Sequence, residues 1–376
     1  MTTSLYIHIP FCASRCNYCS FNSYAGLEEL RERYVESLCV ELAQNASRGL
    51  LEPLRTVFLG GGTPSILSTG LLKKLLASCF ACFPVHPDAE ISIEANPGTV
   101  DRAKFELLKT AGVNRISIGV QSFNDQELGK TGRIHSAKEA VQAVRMAQDA
   151  GFNNISIDLM YGLPGQDPES WQISLETAFS LDINHLSLYQ LTVEEHTPLE
   201  RMVREGRLQL PAEDELAAMD EITAELTAES GMCQYEISNY ARSGCQCQHN
   251  ITYWENREYC GVGAGAVSCL RGSRRRNIAA PEEYCGLIES GRSTIIDEET
   301  LDLEASFRET VIMGLRMNRG VAVKELEKRY KIQLANHYGK VLRQLIRDKL
   351  LEQTEDYLYL TDRGRIFANL VMAELV

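Results

Sequence analysis

A chain of 376 residues with 44% apolar content has material for two or three folded domains, and its net charge of −13 argues against a nucleic-acid or anionic-membrane partner, either of which needs a basic face. No apolar run approaches the ~20 residues of a membrane span, and the opening MTTSLYIHIPFC lacks the charged, apolar and small-residue zones of a signal peptide, so a cytoplasmic location is expected. Twelve cysteines in a chain of this size read as reduced thiols, some of them ligands, rather than as a disulfide framework.

In chain order, short β-branched runs alternate with longer amphipathic stretches. Strands are predicted at Tyr6–Pro10, Thr56–Leu59, Glu90–Glu94, Arg115–Val120, Asn154–Met160 and His185–Leu191, and helices at Glu28–Ala46, Thr69–Cys82, Val100–Thr110, Ser136–Ala150 and Glu169–Leu181. Six strands separated by five helices predict an α/β fold, a parallel sheet with right-handed crossovers curled into a partial (β/α)6 TIM-like barrel whose chemistry sits at the carboxyl ends of the strands. A long acidic helix, Pro211–Ser230, and a further strand, Gln234–Tyr240, extend this unit to about residue 270. Residues 271–300 are polar, basic then acidic, and predict a linker; the three arginines at 274–276 read as a solvated loop. From 301 to 376, helices at Glu304–Leu315, Val323–Tyr330 and His337–Lys349 precede a hairpin at Leu351–Thr361 and a last helix. That order predicts a small winged-helix-like α+β domain acting as a lid or partner surface.

Chemistry concentrates in the loop after the first strand. Cys12, Cys16 and Cys19 are spaced C-x3-C-x2-C, which gathers three thiolates around one [4Fe-4S] cluster and leaves the fourth iron open to a ligand. Zinc would favour paired C-x2-C spacings. After the second strand comes Gly60-Gly61-Gly62-Thr63-Pro64, where backbone groups can approach a polar ligand closely. Later strand ends each carry a polar group: Glu94, Gln121 with Arg133 just beyond, and Asp158 inside the apolar run ISIDLMYG, a placement that is costly unless the carboxylate is paired or ligand-bound.

With these motifs the chain resembles the radical S-adenosylmethionine (SAM) superfamily, and in particular the branch of the oxygen-independent coproporphyrinogen dehydrogenase, over nearly its whole length. The resemblance implies that SAM chelates the open iron and is cleaved by electron transfer to a 5'-deoxyadenosyl radical, with Tyr6, Gly61, Gly62, Thr63, Glu94, Gln121, Arg133 and Asp158 as SAM contacts and Tyr18 and Thr192 as further ones. Phe21 stands where the dehydrogenase has a fourth cysteine, and only eleven residues precede Cys12 where the dehydrogenase has a longer segment. Tyr235–Ala241 (YEISNYA) and the HNxxYW run His249-Asn250-x-x-Tyr253-Trp254 resemble instead the HemW family of heme chaperones. That likeness implies heme as cargo, with His249 and Tyr253 touching it, a heme-acceptor protein, and a reductant such as flavodoxin or ferredoxin. Ser20 and Val267 depart from that family's pattern, where aspartate and histidine are usual. Read from the residues alone, His249 and Tyr253 can equally be packing groups, and Cys245 and Cys247 in CQCQH either hold a metal or heme or are plain buried thiols. Porphyrinogen dehydrogenation, radical methyl transfer and an iron-sulfur electron-transfer or scaffold role are the competing functions at this point.

Overall fold

The computed structural model describes residues 2–49 and 51–376. Six strands alternate with helices as the pattern predicts: β1 Thr2–Ile9, α1 Leu30–Ser47, β2 Leu51–Gly61, α2 Thr69–Cys82, β3 Val85–Ala95, α3 Arg102–Thr110, β4 Arg115–Gln121, a short α4 Asp125–Lys130, α5 Ala137–Asp149, β5 Ile155–Tyr161, α6 Pro168–Ser180 and β6 His185–Gln190. Neighbouring strands pair in parallel from β1 to β6. Helices cover their outer face, so strand residues such as Ile7, Val57, Ile93, Ile116 and Ile157 are all but inaccessible. Helix starts follow the sequence: Asp101 accepts from the Lys104 amide at 2.7 Å, Ser136 and Glu139 form a reciprocal capping box, and Asp167 caps α6 with Pro168 next in line.

The barrel stays open. Past β6 come α7 Pro198–Arg204 and α8 Glu213–Glu229, then β7 Cys233–Gln234 and β8 Asn239–Ala241, which pair antiparallel on the β6 edge. The single strand expected at Gln234–Tyr240 is therefore a hairpin, with its tip at Glu236–Ser238. On the opposite edge, after α9 Gln248–Trp254, β9 Cys260–Val262 adds a parallel strand to β1.

Residues 271–300, expected to be a linker, are folded. β10 Val267–Leu270, β11 Ser273–Asn277 and β12 Ile295–Thr300 form an antiparallel sheet, with α10 Pro281–Glu289 between the last two strands. The basic-then-acidic composition is the pairing code: Arg274, Arg275 and Arg276 lie opposite Glu299, Glu298 and Asp297. Arg275 and Arg276 reach Glu298 and Asp297 at 2.9 and 3.2 Å, and Arg274 reaches Glu309 at 3.0 Å, so the run is not a free basic patch.

The C-terminal unit comprises α11 Leu303–Gly314, β13 Val321–Ala322, α12 Val323–Tyr330, α13 Leu334–Arg347, β14 Leu351–Gln353, β15 Tyr357–Leu360, α14 Asp362–Ile366 and α15 Ala368–Ala373. Its three strands form one sheet over a separate core around Phe307, Val311, Leu342 and Leu358, the winged-helix-like arrangement expected.

One buried carboxylate ties the β1–β9 edge of the barrel to the folded 271–300 segment. Glu41 on α1 accepts from the Gly263 amide at 2.8 Å, Asn277 Nδ2 at 2.9 Å and Tyr284 Oη at 2.5 Å, joining β9, β11 and α10 to the first helix. Replacing Glu41 by leucine strands three buried donors and should cost about 2–4 kcal/mol of unfolding free energy, measured by urea denaturation; a midpoint equal to that of the unsubstituted chain would show that the network contributes nothing.

Candidate functional site

The cysteine loop is pinned at its base. Phe11 bridges Tyr24, the Cys12 amide donates to the Tyr24 carbonyl at 2.8 Å, and the Tyr24 amide to the Pro10 carbonyl at 2.7 Å. Within the loop, the Asn17 amide and side chain hold the Thr131 and Lys130 carbonyls at 2.9 and 3.1 Å, and the Asn22 side chain holds those of Ala264 and Ala279.

Each cysteine sulfur has a polar group beside it. Thr63 Oγ1 donates to Cys12 at 3.6 Å, Arg133 Nη1 to Cys16 at 3.5 Å, and Ser23 Oγ lies 3.8 Å from Cys19. Such donors stabilise thiolate charge and tune the potential of an iron-sulfur cluster. Among the described residues no three His, Cys, Asp or Glu side chains are disposed to share one metal ion. Gly62 is required here because a Cβ would meet the Phe11 carbonyl oxygen at 2.7 Å and Cys12 Sγ at 3.0 Å. Gly61 (φ +118°) lies so close to the His8 ring that a Cβ would overlap it at 2.6 Å.

Beside the loop, Arg133 also donates to the Gly119 carbonyl, and a cleft joins Cys16, Thr63 and Arg133. Tyr18 packs with Met160, Leu163 and Leu199, and burial pushes its hydroxyl pKa up. Gln121 ends β4 at a register shift with φ +71°, a left-handed conformation uncommon for glutamine and frequent at functional sites. Thr192 is exposed beyond β6.

Inside the barrel a polar chamber of about 280 Å³ collects Tyr6, Glu94 and Asp158 together with His249 and Tyr253. Tyr6 Oη lies 3.0 Å from His8 Nδ1, and the Gly61 amide donates to Glu94 at 3.0 Å. Burial, then the nearby Asp158 charge, raises the Glu94 pKa to about 8. Burial also raises that of Asp158, opposed by hydrogen bonds from Ser187 and Ser117, the latter at 3.0 Å.

Sequence reasoning missed Arg115, Ser117, Ser187 and Tyr189, which line the same chamber. Arg115 is 2% exposed and its Nε has no hydrogen-bond partner. Its signal in the sequence is a guanidinium opening the apolar run RISIGV, a position whose burial becomes visible only once the barrel closes around it.

His249 does not present itself as a free iron ligand. Its Nδ1 bonds Thr56 Oγ1 and its Nε2 bonds Tyr253 Oη, each at 2.8 Å. Burial, and next the Arg115 charge, lower its pKa to about 3, so the ring is neutral with both nitrogens engaged. It stacks on Phe58 with centroids 5.2 Å apart. Cys247 is buried with its thiol on Glu90 and its pKa pushed up to about 12 by burial, so CQCQH forms no thiolate ligand set in this arrangement.

Comparison with known proteins adds relationships to this geometry. The radical SAM superfamily model matches residues 6–178, and the HemN C-terminal domain model matches residues 301–367. Heme chaperone HemW of Bacillus subtilis is 38% identical over 367 residues, 97% of each chain. The chain belongs to the HemW family. HemW of Escherichia coli is 44% identical over 264 residues, 70% of this chain and 69% of that one. The solved structure of coproporphyrinogen III oxidase (HemN) from E. coli, a radical SAM enzyme, superposes with a TM-score of 0.86 at 24% identity, covering 99% of this chain and 89% of that one, which establishes the shared fold.

As a radical SAM protein, this HemW relative is implied to take a [4Fe-4S] cluster and SAM, and the donors around the three sulfurs together with the chamber's polar lining and its unpartnered Arg115 Nε suit both. No helix among the described residues is long and apolar enough to cross a membrane.

The Glu94 carboxyl provides a titration test. With a folded-state pKa near 8 against an ordinary 4.5, the folded chain retains a proton that the unfolded chain releases. Its contribution to stability is therefore full below about pH 4.5 and declines as pH rises towards 8. In cluster-free protein, Glu94→Gln should flatten the fall of Tm between pH 5 and 8. Identical pH profiles for the two proteins would refute the raised pKa.

Proposed function

We propose that this chain is a cytoplasmic radical-SAM-type heme chaperone that binds a [4Fe-4S] cluster, SAM and heme and passes the heme to an acceptor protein, with a flavodoxin or ferredoxin as reductant. The observation that carries this reading is the likeness to heme chaperone HemW across 97% of both chains. In this reading Cys12, Cys16 and Cys19 hold the cluster. Gly61, Gly62 and Thr63 line the approach to it, Glu94 and Asp158 accept hydrogen bonds from the polar groups of SAM, Arg133 pairs with a carboxylate, and Tyr6 and Gln121 flank the ligand. When bound, the cluster supplies an electron for reductive cleavage of SAM. Tyr18 stands near Arg133 and Cys16 on the loop side of this pocket, and Thr192 is exposed beyond β6.

The chain's own contribution is selective: it desolvates Glu94 and Asp158, holds Arg133 between a cysteine and the end of β4, and keeps the loop in one shape through backbone bonds. Phe21, 68% exposed, occupies the position of the dehydrogenase's fourth cysteine, which weighs against porphyrinogen decarboxylation.

The test is anaerobic reconstitution followed by addition of SAM, reductant and either heme or coproporphyrinogen III. Expected are a cluster EPR signal that changes with SAM, stoichiometric heme binding, and no protoporphyrinogen. Protoporphyrinogen formation would make the chain a dehydrogenase, and methylated product would make it a methyltransferase. A cluster signal indifferent to SAM would leave a scaffold or electron carrier. In the same assay Cys16→Ala should lose the cluster absorption, and full absorption in that variant would overturn the ligand assignment.

A further inference from the structure

A second concavity lies outside the barrel, between the β7–β8 hairpin, the end of β6 and the α14–α15 segment. Its volume is about 510 Å³. Apolar side chains that solvent should not favour converge on it: Ile237 at the hairpin tip is 44% exposed, Ile366 79%, Phe367 43% and Leu370 66%. An exposed apolar cluster with a polar rim marks a binding surface.

The rim decides what kind of ligand fits. Arg316 and Arg365 line the groove, and no aspartate or glutamate does, in a chain whose net charge is −13. Arg316 lies with its guanidinium 4.8 Å from the centroid of the Trp254 ring, and its Nε has no hydrogen-bond partner. The carboxylate of Glu236, at the hairpin tip, is held by the Ser238 amide and the Asn239 side chain, near enough to Arg316 to feel its charge but forming no ion pair with it among the described residues. Arg365 pairs with Asp362 at 2.7 Å, a solvated surface contact that a ligand can displace at small cost. Apolar walls with two guanidinium groups suit a flat apolar ring carrying two carboxylates.

We propose that this groove is the porphyrin seat, with Ile237, Phe367 and Leu370 against the ring and Arg316 and Arg365 on the propionates; the assignment rests on the heme-binding reading above and gives it a location. The interior chamber is a poor alternative. Its volume of about 280 Å³ compares with the groove's 510 Å³, its lining is mostly polar, and the reading above gives it to SAM. Trp254 then acquires a specific role. It belongs to the HNxxYW run yet touches the groove's guanidinium, so it is a positioning residue for Arg316.

The test is absorption titration of the full chain with hemin, and fluorescence titration with metal-free protoporphyrin IX and with its dimethyl ester. Expected is saturable binding of one equivalent of both acids, weakened about tenfold by Arg316→Gln and by blocking the propionates as esters. The ester should bind the Arg316→Gln variant no worse than it binds the unsubstituted chain. Leu370→Glu, at a position 66% exposed and so safe for folding, should weaken all three ligands about tenfold. Saturable hemin binding left unchanged by both substitutions overturns the groove while sparing the chaperone reading. Absence of saturable hemin binding by the unsubstituted chain overturns both. Binding of hemin without binding of protoporphyrin IX would show recognition through iron and likewise reject the groove.

Discussion

Glu90 lies near the foot of β3 with its carboxylate set against the N-terminus of α9, one oxygen 2.8 Å from the Gln248 amide and the other 3.1 Å from that of His249. A carboxylate satisfies the orphan donors of a helix start and its charge complements the helix dipole there. This contact fixes a seven-residue helix that has little propensity of its own to persist. With α9 held, His249 enters the barrel between Phe58 and Tyr6, Thr56 and Tyr253 occupy its two nitrogens, and the lower end of the chamber is closed. Loss of that anchor would open the floor beneath the residues assigned to SAM.

In the chamber above that floor, Glu94, Asp158 and Arg115 do not neutralise one another by direct contact. Glu94 and Asp158 are hydrogen-bonded to an amide and to hydroxyls, and Arg115 forms no ion pair within 4.0 Å among the described residues. Desolvated groups kept apart in this way are expensive. A structural network would have brought the guanidinium onto a carboxylate. An orphaned guanidinium nitrogen beside two carboxyls with which it forms no ion pair is the arrangement of a site that receives a partner from a ligand, which is why the chamber, and not the larger surface clefts, is proposed for the cofactor.

Much of the barrel was legible because parallel strands buried on both faces are apolar runs with few competing readings: ISIEA, RISIGV and ISIDLMY each announce a core strand. The cysteine loop was legible for a different reason, since ligand spacing is a local property. What escaped were features set by partners distant in sequence. β9 is three residues long and exists because β1 offers an edge. The polar stretch 271–300 contains little hydrophobic periodicity because cross-strand ion pairs, not a buried face, define it. His249 illustrates the same limit at the site: its residue type suggested ligation, whereas two hydroxyls from β2 and α9 consume both nitrogens. Arg115 was read only as the start of a strand, because nothing local indicates that Asp158, forty-three positions later, shares its cavity.

The HNxxYW run therefore has two faces with different chemistry. His249 and Tyr253 look into the barrel, while Trp254 carries Arg316 outside it. The turn after α9 also binds the C-terminal unit: Asn256 donates to Glu309 and Thr310 at 3.0 and 2.9 Å, and its carbonyl accepts from Arg329 at 2.8 Å. Asn318 extends the same seam, bonding the Tyr235 and Gln234 carbonyls at the base of the hairpin. A change in the chamber that shifts α9 would thus be felt at Arg316 through an aromatic contact and at the C-terminal unit through hydrogen bonds. One short helix, with the turn that follows it, is common to the interior chamber, the groove's Arg316 and the interface between the two units.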